Sequence, residues 1–327
     1  MVNNKQIQKT NLDNWDIIQV SGTDAAFFLH NQLTVSVTEI KQAQSVATKS
    51  RNQLRLAGYC SPKGRLLASL WISHPETPSE DTFYLWVSKD IATSLAKRLQ
   101  MFVMRSKVKI HYDPELFHLT ALFGPEKTVS DLLETLPLTS IALPEVRLGA
   151  SQFERAIVAM KPSNQPSTEL ESIPAALIDS EWDFLEVMSG IPRVIAATQD
   201  QFVPQMVNFE SVGGIDFKKG CYPGQEVVAR SQYRGAIKRR LQIAYLVQDS
   251  NLSDFQPQPG DEVYSADDLA QPAGMVVLSA IDPNMDRLAL QIELKIESAP
   301  KKIMIKTATG FSSNLVLGEI PYSLLVI

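Results

Sequence analysis

The sequence predicts an α+β protein with two lobes and a small C-terminal β-barrel. Up to Arg240, strand-like runs alternate with helical runs, and no βαβ glycine fingerprint accompanies them, which favours antiparallel sheets. After Arg240, short strand-like runs recur between turn signals, a pattern typical of a barrel. A chain of 327 residues is too long for one small core. We therefore predict lobes at residues 1–112 and 113–240, whose interleaving is left open, and a barrel at residues 241–327.

Composition narrows the function classes. Hydrophobic residues make up 44% of the chain and charged residues 20%, which is ordinary for a globular protein. No apolar run approaches the roughly 20 residues of a membrane span, and the polar start lacks a signal-peptide core, so we expect a cytoplasmic protein. Two distant cysteines, Cys60 and Cys221, are expected to be free thiols. Neither they nor the four histidines have ligand spacing, so no metal site is predicted.

The first helix is predicted directly after the first long strand. Trp15 to Val20 alternates in the manner of a strand, and Asp24 offers an N-cap for the residues that follow. We expect Phe27, Phe28 and Leu29 to form a core-facing stripe on that helix.

Turn and cap signals predict the elements that come next. The sequence SPKG at residues 61–64 predicts a hairpin turn. Asp90 is expected to cap a helix over residues 91–101, and a further helix is predicted at residues 128–136. The segment 161–174 is rich in Pro, Ser and Asn and is predicted to be a surface loop.

The stretch from Gly213 to Arg240, GGIDFKKGCYPGQEVVARSQYRGAIKRR, carries the strongest functional signal. Its paired glycines and short apolar run predict a turn that leads into a strand. Cys221 lies between Gly220 and Gly224 in a loop with unusual backbone freedom, and a helix is predicted from Gln225 to Arg230.

The charges around this thiol favour the thiolate. Cys221 precedes a helix N-terminus and lies close to Lys218 and Lys219. An inert buried cysteine between turn glycines is the alternative interpretation. Between Lys218 and Arg240 the chain contains one acid, Glu226, and seven basic residues: Lys218, Lys219, Arg230, Arg234, Lys238, Arg239 and Arg240. In a chain of net charge −5, this run is either a local anion site or a solvated face.

The octapeptide KGCYPGQE at residues 219–226 resembles the K-G-C-Y-x-G-Q-E signature of the YgfZ family, folate-binding relatives of the glycine-cleavage T protein. Further blocks match family motifs: G-x-D-x-x-x-F-L-x-x-Q-L-T at residues 22–34, P-K-G-R at 62–65, R-S-K-V at 105–108 and G-x-P at 190–192. The similarity runs from about Trp15 to the C-terminus. It implies the T-protein-like fold, in which two α+β lobes precede a β-barrel.

The resemblance also implies a binding site and roles for its residues. Tetrahydrofolate is expected in the cleft between the lobes, in contact with Trp15 and Trp182, although core packing is the alternative for both indoles. Cys221 is expected to be the reactive thiol. The remaining site residues are Lys219, Gly220, Tyr222 and Gly224 in the loop. Arg230 and Arg234 are expected to supply an anion contact, which suits either the γ-glutamyl tail of a folate or an RNA backbone.

Two departures from the family pattern bear on chemistry. Met188 stands near the end of a helix capped by Asp179 or Ser180, where many members have a glutamate. A carboxylate accepts two hydrogen bonds from a pterin and a thioether does not. Ala68 stands where the aminomethyltransferase has an aspartate near folate. We therefore do not expect aminomethyl transfer.

The resemblance implies a folate-binding accessory protein that supports iron–sulfur cluster assembly or repair in client enzymes. These clients include radical enzymes that thiolate tRNA, so that tRNA modification depends on it. Whether it is itself an enzyme is left open. The alternatives are a folate-dependent one-carbon transferase or demethylase, and a module that binds tRNA directly, against which the overall negative charge argues.

Overall fold

The computed structural model describes residues 6–40, 54–74, 81–136, 139–163, 168–176, 180–247, 256–283, 285, 287–307 and 310–325. Within these residues, two antiparallel sheets with their helices precede a closed six-stranded barrel, which confirms the predicted fold class. The helices are α1 Ala25–Gln32, α2 Lys89–Val103, α3 Thr128–Thr135, α4 Thr168–Ser172, α5 Ser180–Met188 and α6 Gln225–Tyr233.

The first sheet has five strands in the order β3-β4-β5-β2-β6, and all neighbours are antiparallel. Its central strands are buried because their Ile, Leu, Val and Trp side chains pack under α1 and α2. The predicted turn joins β3 to β4, with Gly64 at φ +71° and its N–H donating to the Ser61 carbonyl at 2.8 Å. The strands are β2 Trp15–Ser21, β3 Arg55–Cys60, β4 Leu66–Ser73, β5 Thr82–Ser88 and β6 Lys109–His111.

The expected core stripe on α1 is wrong at one position. Phe28 and Leu29 are buried, whereas 69% of Phe27 is exposed. Three consecutive residues spread over about 200° of a helix, which is wider than one apolar stripe. Asp24 is the N-cap residue, but it makes no side-chain cap bond. Its carboxylate instead accepts a hydrogen bond from the Lys107 backbone N–H at 2.7 Å.

Asp90 likewise differs from its predicted role. Ser88 is the N-cap of α2, and the Asp90 carboxylate accepts a hydrogen bond from the Ala196 N–H at 2.8 Å. Asp90 therefore connects the first lobe to the segment that follows α5. In both cases a carboxylate at a helix start bonds to a distant backbone group rather than to its own helix.

The second sheet has the order β1-β7-β9-β8. The segment predicted as a loop over residues 161–174 includes α4, because Leu170 and Ile173 are buried in a cluster with Leu122 and Val129. Asp179, the other cap candidate for α5, lies outside the described residues. The strands are β1 Gln8–Asn11, β7 His118–Pro125, β8 Thr139–Leu148 and β9 Ser151–Met160.

The barrel closes in the order β10-β13-β12-β11-β14-β15. It has its own core, which includes Leu246, Val263, Leu290 and Ile305. The lobe boundary that we predict at residues 112 and 113 stays a prediction, and β1 pairs across it with β7. The barrel strands are β10 Arg239–Val247, β11 Glu262–Ser265, β12 Gly274–Ile281, β13 Arg287–Lys295, β14 Ile303–Thr307 and β15 Gly310–Leu317.

Met104 ends α2 in a strained backbone conformation, with φ 45° and ψ −107°. Such a conformation costs a non-glycine residue about 1–3 kcal/mol. Glycine removes this strain but adds entropy to the unfolded chain. Met104→Gly is therefore expected to raise the free energy of unfolding by about 1 kcal/mol, as measured by urea denaturation.

The control for this substitution is Lys127→Gly. Lys127 has φ 69° and ψ −2°, an ordinary left-handed conformation with less strain to remove. A Met104→Gly protein that is less stable than the wild type would contradict the strain at this turn.

Candidate functional site

The Cys221 loop is locked onto the hairpin turn at residues 61–64. Gly224 has φ +78°, and a Cβ built on it would lie 2.7 Å from both Cα and N of Gly64. A Cβ on Gly64 would in turn lie 2.7 Å from Cβ of Val227 in α6. The glycines of two separate sequence blocks therefore allow two turns to touch through their backbones, which fixes where α6 begins.

The predicted strand after the paired glycines does not form. Residues 211–224 contain turns and extended backbone but no strand. Gly214 packs directly against the ring of Phe209, and the Asp216 N–H donates to the Thr34 carbonyl at 2.9 Å. The segment is thus held by the first lobe, through single contacts rather than a ladder.

Lys219 and Tyr222 anchor the loop on either side of the thiol. The Lys219 ammonium donates to the Leu33 carbonyl at 2.9 Å and to the His30 carbonyl at the C-terminal end of α1. Its Nζ also lies 4.8 Å from the centre of the Tyr222 ring, which is buried. Cys221, between these two inward-facing residues, is exposed. Cys221 is therefore not the buried thiol of the alternative interpretation. Cys60 is buried, and burial raises its pKa to about 12, so that Cys60 is the inert thiol.

Burial lowers the pKa of Lys219 to about 8, from an ordinary value of 10.5. Between these two pH values the unfolded chain binds more protons at this position than the folded chain does, so folding stability rises with pH there. Wild type is therefore expected to gain stability relative to Lys219→Met from pH 8 to 10.5. Denaturant unfolding of both proteins across this range measures the difference, and Lys218→Met, at an exposed lysine, is the control.

His30 lies beside the loop. Its Nε2 is 3.4 Å from the position that a Cβ on Gly220 would occupy. Burial, followed by the charge of Lys219, lowers the pKa of His30. A neutral imidazole on α1 therefore neighbours the residue that precedes the thiol. The sequence did not single out His30, because the helix spacing alone does not show what lies opposite it.

The basic run divides into buried and exposed parts. Arg239 is ion-paired with Glu293 at 2.7 Å, and Arg240 is paired with buried Glu210. The Arg239 pair lies within the barrel, between β10 and β13, whereas the Arg240 pair joins the barrel to the rest of the protein. Both side chains are thus engaged by carboxylates rather than forming an open anion site. Arg230 and Arg234 are exposed on or beside α6, and Arg230 pairs with Glu226 at 2.7 Å.

A guanidinium group lies over each of the two indoles that are candidates for folate contact. The Arg193 guanidinium carbon lies 5.3 Å from the ring centre of Trp15, and that of Arg155 lies 5.7 Å from Trp182. The Glu186 carboxylate accepts two hydrogen bonds from Arg193, at 3.0 and 3.2 Å.

Burial lowers the pKa of Arg155 to about 10, and the negative charge of Glu186 partly offsets this by raising it. The sequence analysis missed this cluster. A signal was present, because Glu186 is four residues after Trp182 and so shares its face of α5.

Three cavities lie around this cluster. A cavity of about 20 Å³ is lined by Trp15, Arg193 and Glu186, among others, and is large enough only for a water. One of about 610 Å³ is lined by Trp182 and residues 9–14. A third, of about 490 Å³, shares Asp13, Asn14 and Asp183 with it. The two larger cavities form a groove of the size that small-molecule ligands occupy.

The two departures from the family pattern lie away from this groove. Met188 Sδ accepts a hydrogen bond from the Tyr245 hydroxyl of the barrel at 3.6 Å. Ala68 is fully buried. Neither residue lines the three cavities. Ser69, next to Ala68, accepts a hydrogen bond from the Val194 N–H at 2.8 Å and so holds the segment after α5.

Neither a cluster of metal-ligating side chains nor a membrane-spanning helix occurs in the described part of the chain. There, His, Cys, Asp and Glu side chains form no group of three or more that could hold a metal ion. Among the helices of the same residues, none has the length and apolar character needed to cross a bilayer.

Comparison with known proteins supports the motifs. No protein-family model matches the chain. It is 27% identical to the tRNA-modifying protein YgfZ of Klebsiella pneumoniae (strain 342) and 26% identical to that of Escherichia fergusonii, over 96% of this chain and 92% of each relative.

A solved structure shows the same fold. The aminomethyltransferase T of the glycine cleavage system from Bartonella henselae superimposes with a TM-score of 0.62 at 14% identity, over 97% of this chain and 86% of that protein. The predicted T-protein-like architecture is thus confirmed. The resemblance to the YgfZ family that the sequence motifs indicate is likewise confirmed over nearly the whole chain.

Proposed function

We propose that this protein binds a reduced folate and supports the assembly or repair of iron–sulfur clusters in client enzymes that modify tRNA. The observation that carries the proposal is the separation of two features. An exposed thiol, Cys221, is held on a rigid loop, and it lines none of the three cavities described above. Separate places for a ligand and for a reactive thiol suit an accessory protein that serves other macromolecules.

The groove fits a folate in size and in donor chemistry. Its two parts measure about 610 and 490 Å³. Trp182 lines the larger part, and its buried indole N–H has no acceptor among the described residues. A buried donor without a partner is costly, and a pteridine or benzoyl acceptor would satisfy it. Asp13 and Asp183 supply carboxylates where Met188 supplies none.

Trp15 fits a smaller role. Its indole N–H is also buried and finds no acceptor in the described part of the chain, but its cavity is large enough only for a water. Arg193 and Glu186 close that cavity on one side. We therefore assign the direct ligand contact to Trp182 and a supporting contact to Trp15.

Isothermal titration calorimetry with tetrahydrofolate tests whether the protein binds a reduced folate. Loss of one hydrogen bond weakens binding by about 1 kcal/mol, or roughly fivefold. We expect this loss for Trp182→Phe, a smaller loss for Trp15→Phe and no loss for Cys221→Ala. No binding of any reduced folate by the wild type would refute the cofactor half.

Complementation tests the second half. In cells that lack this protein, Cys221→Ala is expected to leave thiolated tRNA at the level of the deletion. Consumption of a methylated amine with tetrahydrofolate by the purified protein would instead support the one-carbon transferase alternative. Full tRNA thiolation with Cys221→Ala would refute the role of the thiol.

A further inference from the structure

An exposed apolar surface surrounds the end of α2. Four large side chains contribute to it: Phe27, Met101, Phe102 and Met104, with exposed fractions of 69%, 67%, 44% and 87%. Single exposed apolar residues are common, whereas a contiguous group marks an interaction site. We call these four residues the α2 tip surface.

A hydrogen bond between a backbone N–H and a carboxylate places the start of α1, and with it Phe27, near the other three residues. The Lys107 N–H donates to the Asp24 carboxylate at 2.7 Å, which joins the start of α1 to the turn after Met104. Phe27 is three residues after Asp24 and therefore neighbours it on the surface of α1. Met101, Phe102 and Met104 lie within one turn of each other.

On the α2 side of the α2 tip surface the charge has one sign, whereas the Asp24 carboxylate beside Phe27 is engaged by the Lys107 N–H. Residues 91–112 contain no Asp or Glu, although the whole chain has a net charge of −5. The same segment contains five basic residues: Lys97, Arg98, Arg105, Lys107 and Lys109. Arg105, Lys107 and Lys109 are exposed. The apolar surface is therefore edged by positive charge.

The α2 tip surface continues to the thiol along α1. His30 is three residues after Phe27 and so neighbours it on the helix. Its Nε2 lies 3.4 Å from where a Cβ on Gly220 would be, next to Cys221. At 1.5 Å of rise per residue, Asp24 and His30 are about 9 Å apart along the helix. A partner that covers Phe27 is therefore next to the Cys221 loop.

We propose that the α2 tip surface docks a client protein whose contact area is apolar and edged by acidic residues, and that this docking brings the client to the Cys221 thiol. The inference rests on the proposed function. Phe, Met and Arg are enriched at the centres of protein interfaces, and complementary charge guides the encounter. A second copy of this chain is disfavoured, because two positive surfaces would repel each other.

Complementation of cells that lack this protein tests the docking role. We expect Phe27→Ser and Met104→Gly to lower thiolated tRNA at least about fivefold, the loss typical of an interface anchor. Met104→Gly is informative because it is expected to stabilise the fold while it removes the contact. Leu269→Ser, at an exposed apolar residue after β11 in the barrel segment, is the matched control and should retain thiolation.

Purified variants separate docking from the other roles. Phe27→Ser and Met104→Gly should bind tetrahydrofolate as the wild type does. If they also support full thiolation while Cys221→Ala does not, the docking inference is overturned and the proposed function stands. If Cys221→Ala supports full thiolation, the proposed function itself fails.

A photo-crosslinking residue at position 27, with position 269 as control, identifies the class of partner. An adduct that protease removes and ribonuclease spares, formed at position 27 alone, is the expected result. An adduct removed by ribonuclease, together with binding of purified tRNA that falls steeply with salt, would overturn the protein partner in favour of RNA.

Discussion

Replacing Gly224 by alanine is expected to lower the free energy of unfolding by about 3 kcal/mol and to release the Cys221 loop. Gly224 combines a left-handed backbone, φ +78°, with close backbone contacts to the 61–64 turn. Alanine is strained in this left-handed conformation, and its Cβ also clashes with the backbone of Gly64. Because that contact is with backbone, it cannot be relieved by a side-chain rotation. Urea denaturation measures the loss, and faster alkylation of Cys221 reports the freed loop.

Gly213→Ala is the matched control for this prediction. Gly213 has nearly the same φ, +81°, and a Cβ there would meet nothing within 4 Å. Gly213→Ala therefore introduces backbone strain without a clash and is expected to lower the free energy of unfolding by about 1 kcal/mol. It should leave the rate of Cys221 alkylation unchanged. Equal losses for the two alanine variants would show that the contact between the two turns is not the reason for glycine in the KGCYPGQE motif.

Replacing Arg240 by methionine is expected to cost about 3–5 kcal/mol, because it leaves a carboxylate buried without its partner. The Glu210 side chain is fully buried and its partner in the ion pair is Arg240. Arg240 also donates to the Gln205 carbonyl at 3.2 Å. The loss should appear in denaturant unfolding as a lower midpoint.

A double-mutant cycle tests the origin of that loss. Arg240→Met with Glu210→Met removes both charges, and most of the stability should return. Arg230→Met removes the exposed pair with Glu226 and is expected to change stability by less than about 0.5 kcal/mol. A double variant as unstable as Arg240→Met alone would show that the arginine acts by packing rather than by pairing.

Local patterns predicted much of the fold. The alternation in β2, the turn glycine at 64 and the helix after Gly224 each depend on nearby residues, and the structure contains all of them. Phe27 was misplaced for an equally local reason, since neighbouring apolar residues on a short helix cannot all face inward. The strand expected after Gly214 does not form because contacts with Phe209, and with Thr34, which is distant in sequence, determine that segment.

The candidate site was less accessible to prediction, because long-range contacts build it. The KGCYPGQE motif identified the loop, but not that Lys219 would bind the carbonyls of α1. Arg155 on β9 and Arg193 after α5 lie beside the two indoles only once three elements pack together. The residues next to either arginine in sequence do not indicate that it will contact an indole.

The placement of β1 has a consequence for how the chain matures. Residues 8–11 pair with β7. The Lys9 N–H donates to the Pro174 carbonyl, and the Lys9 carbonyl accepts from the Ala176 N–H. This strand is synthesised before the other strands described here, yet its partners follow more than a hundred residues later. The first sheet, whose strands end by His111, can assemble during that interval. Synthesis therefore separates the two lobes in time, and β1 is among the last strands to be enclosed although it is made before the others described here.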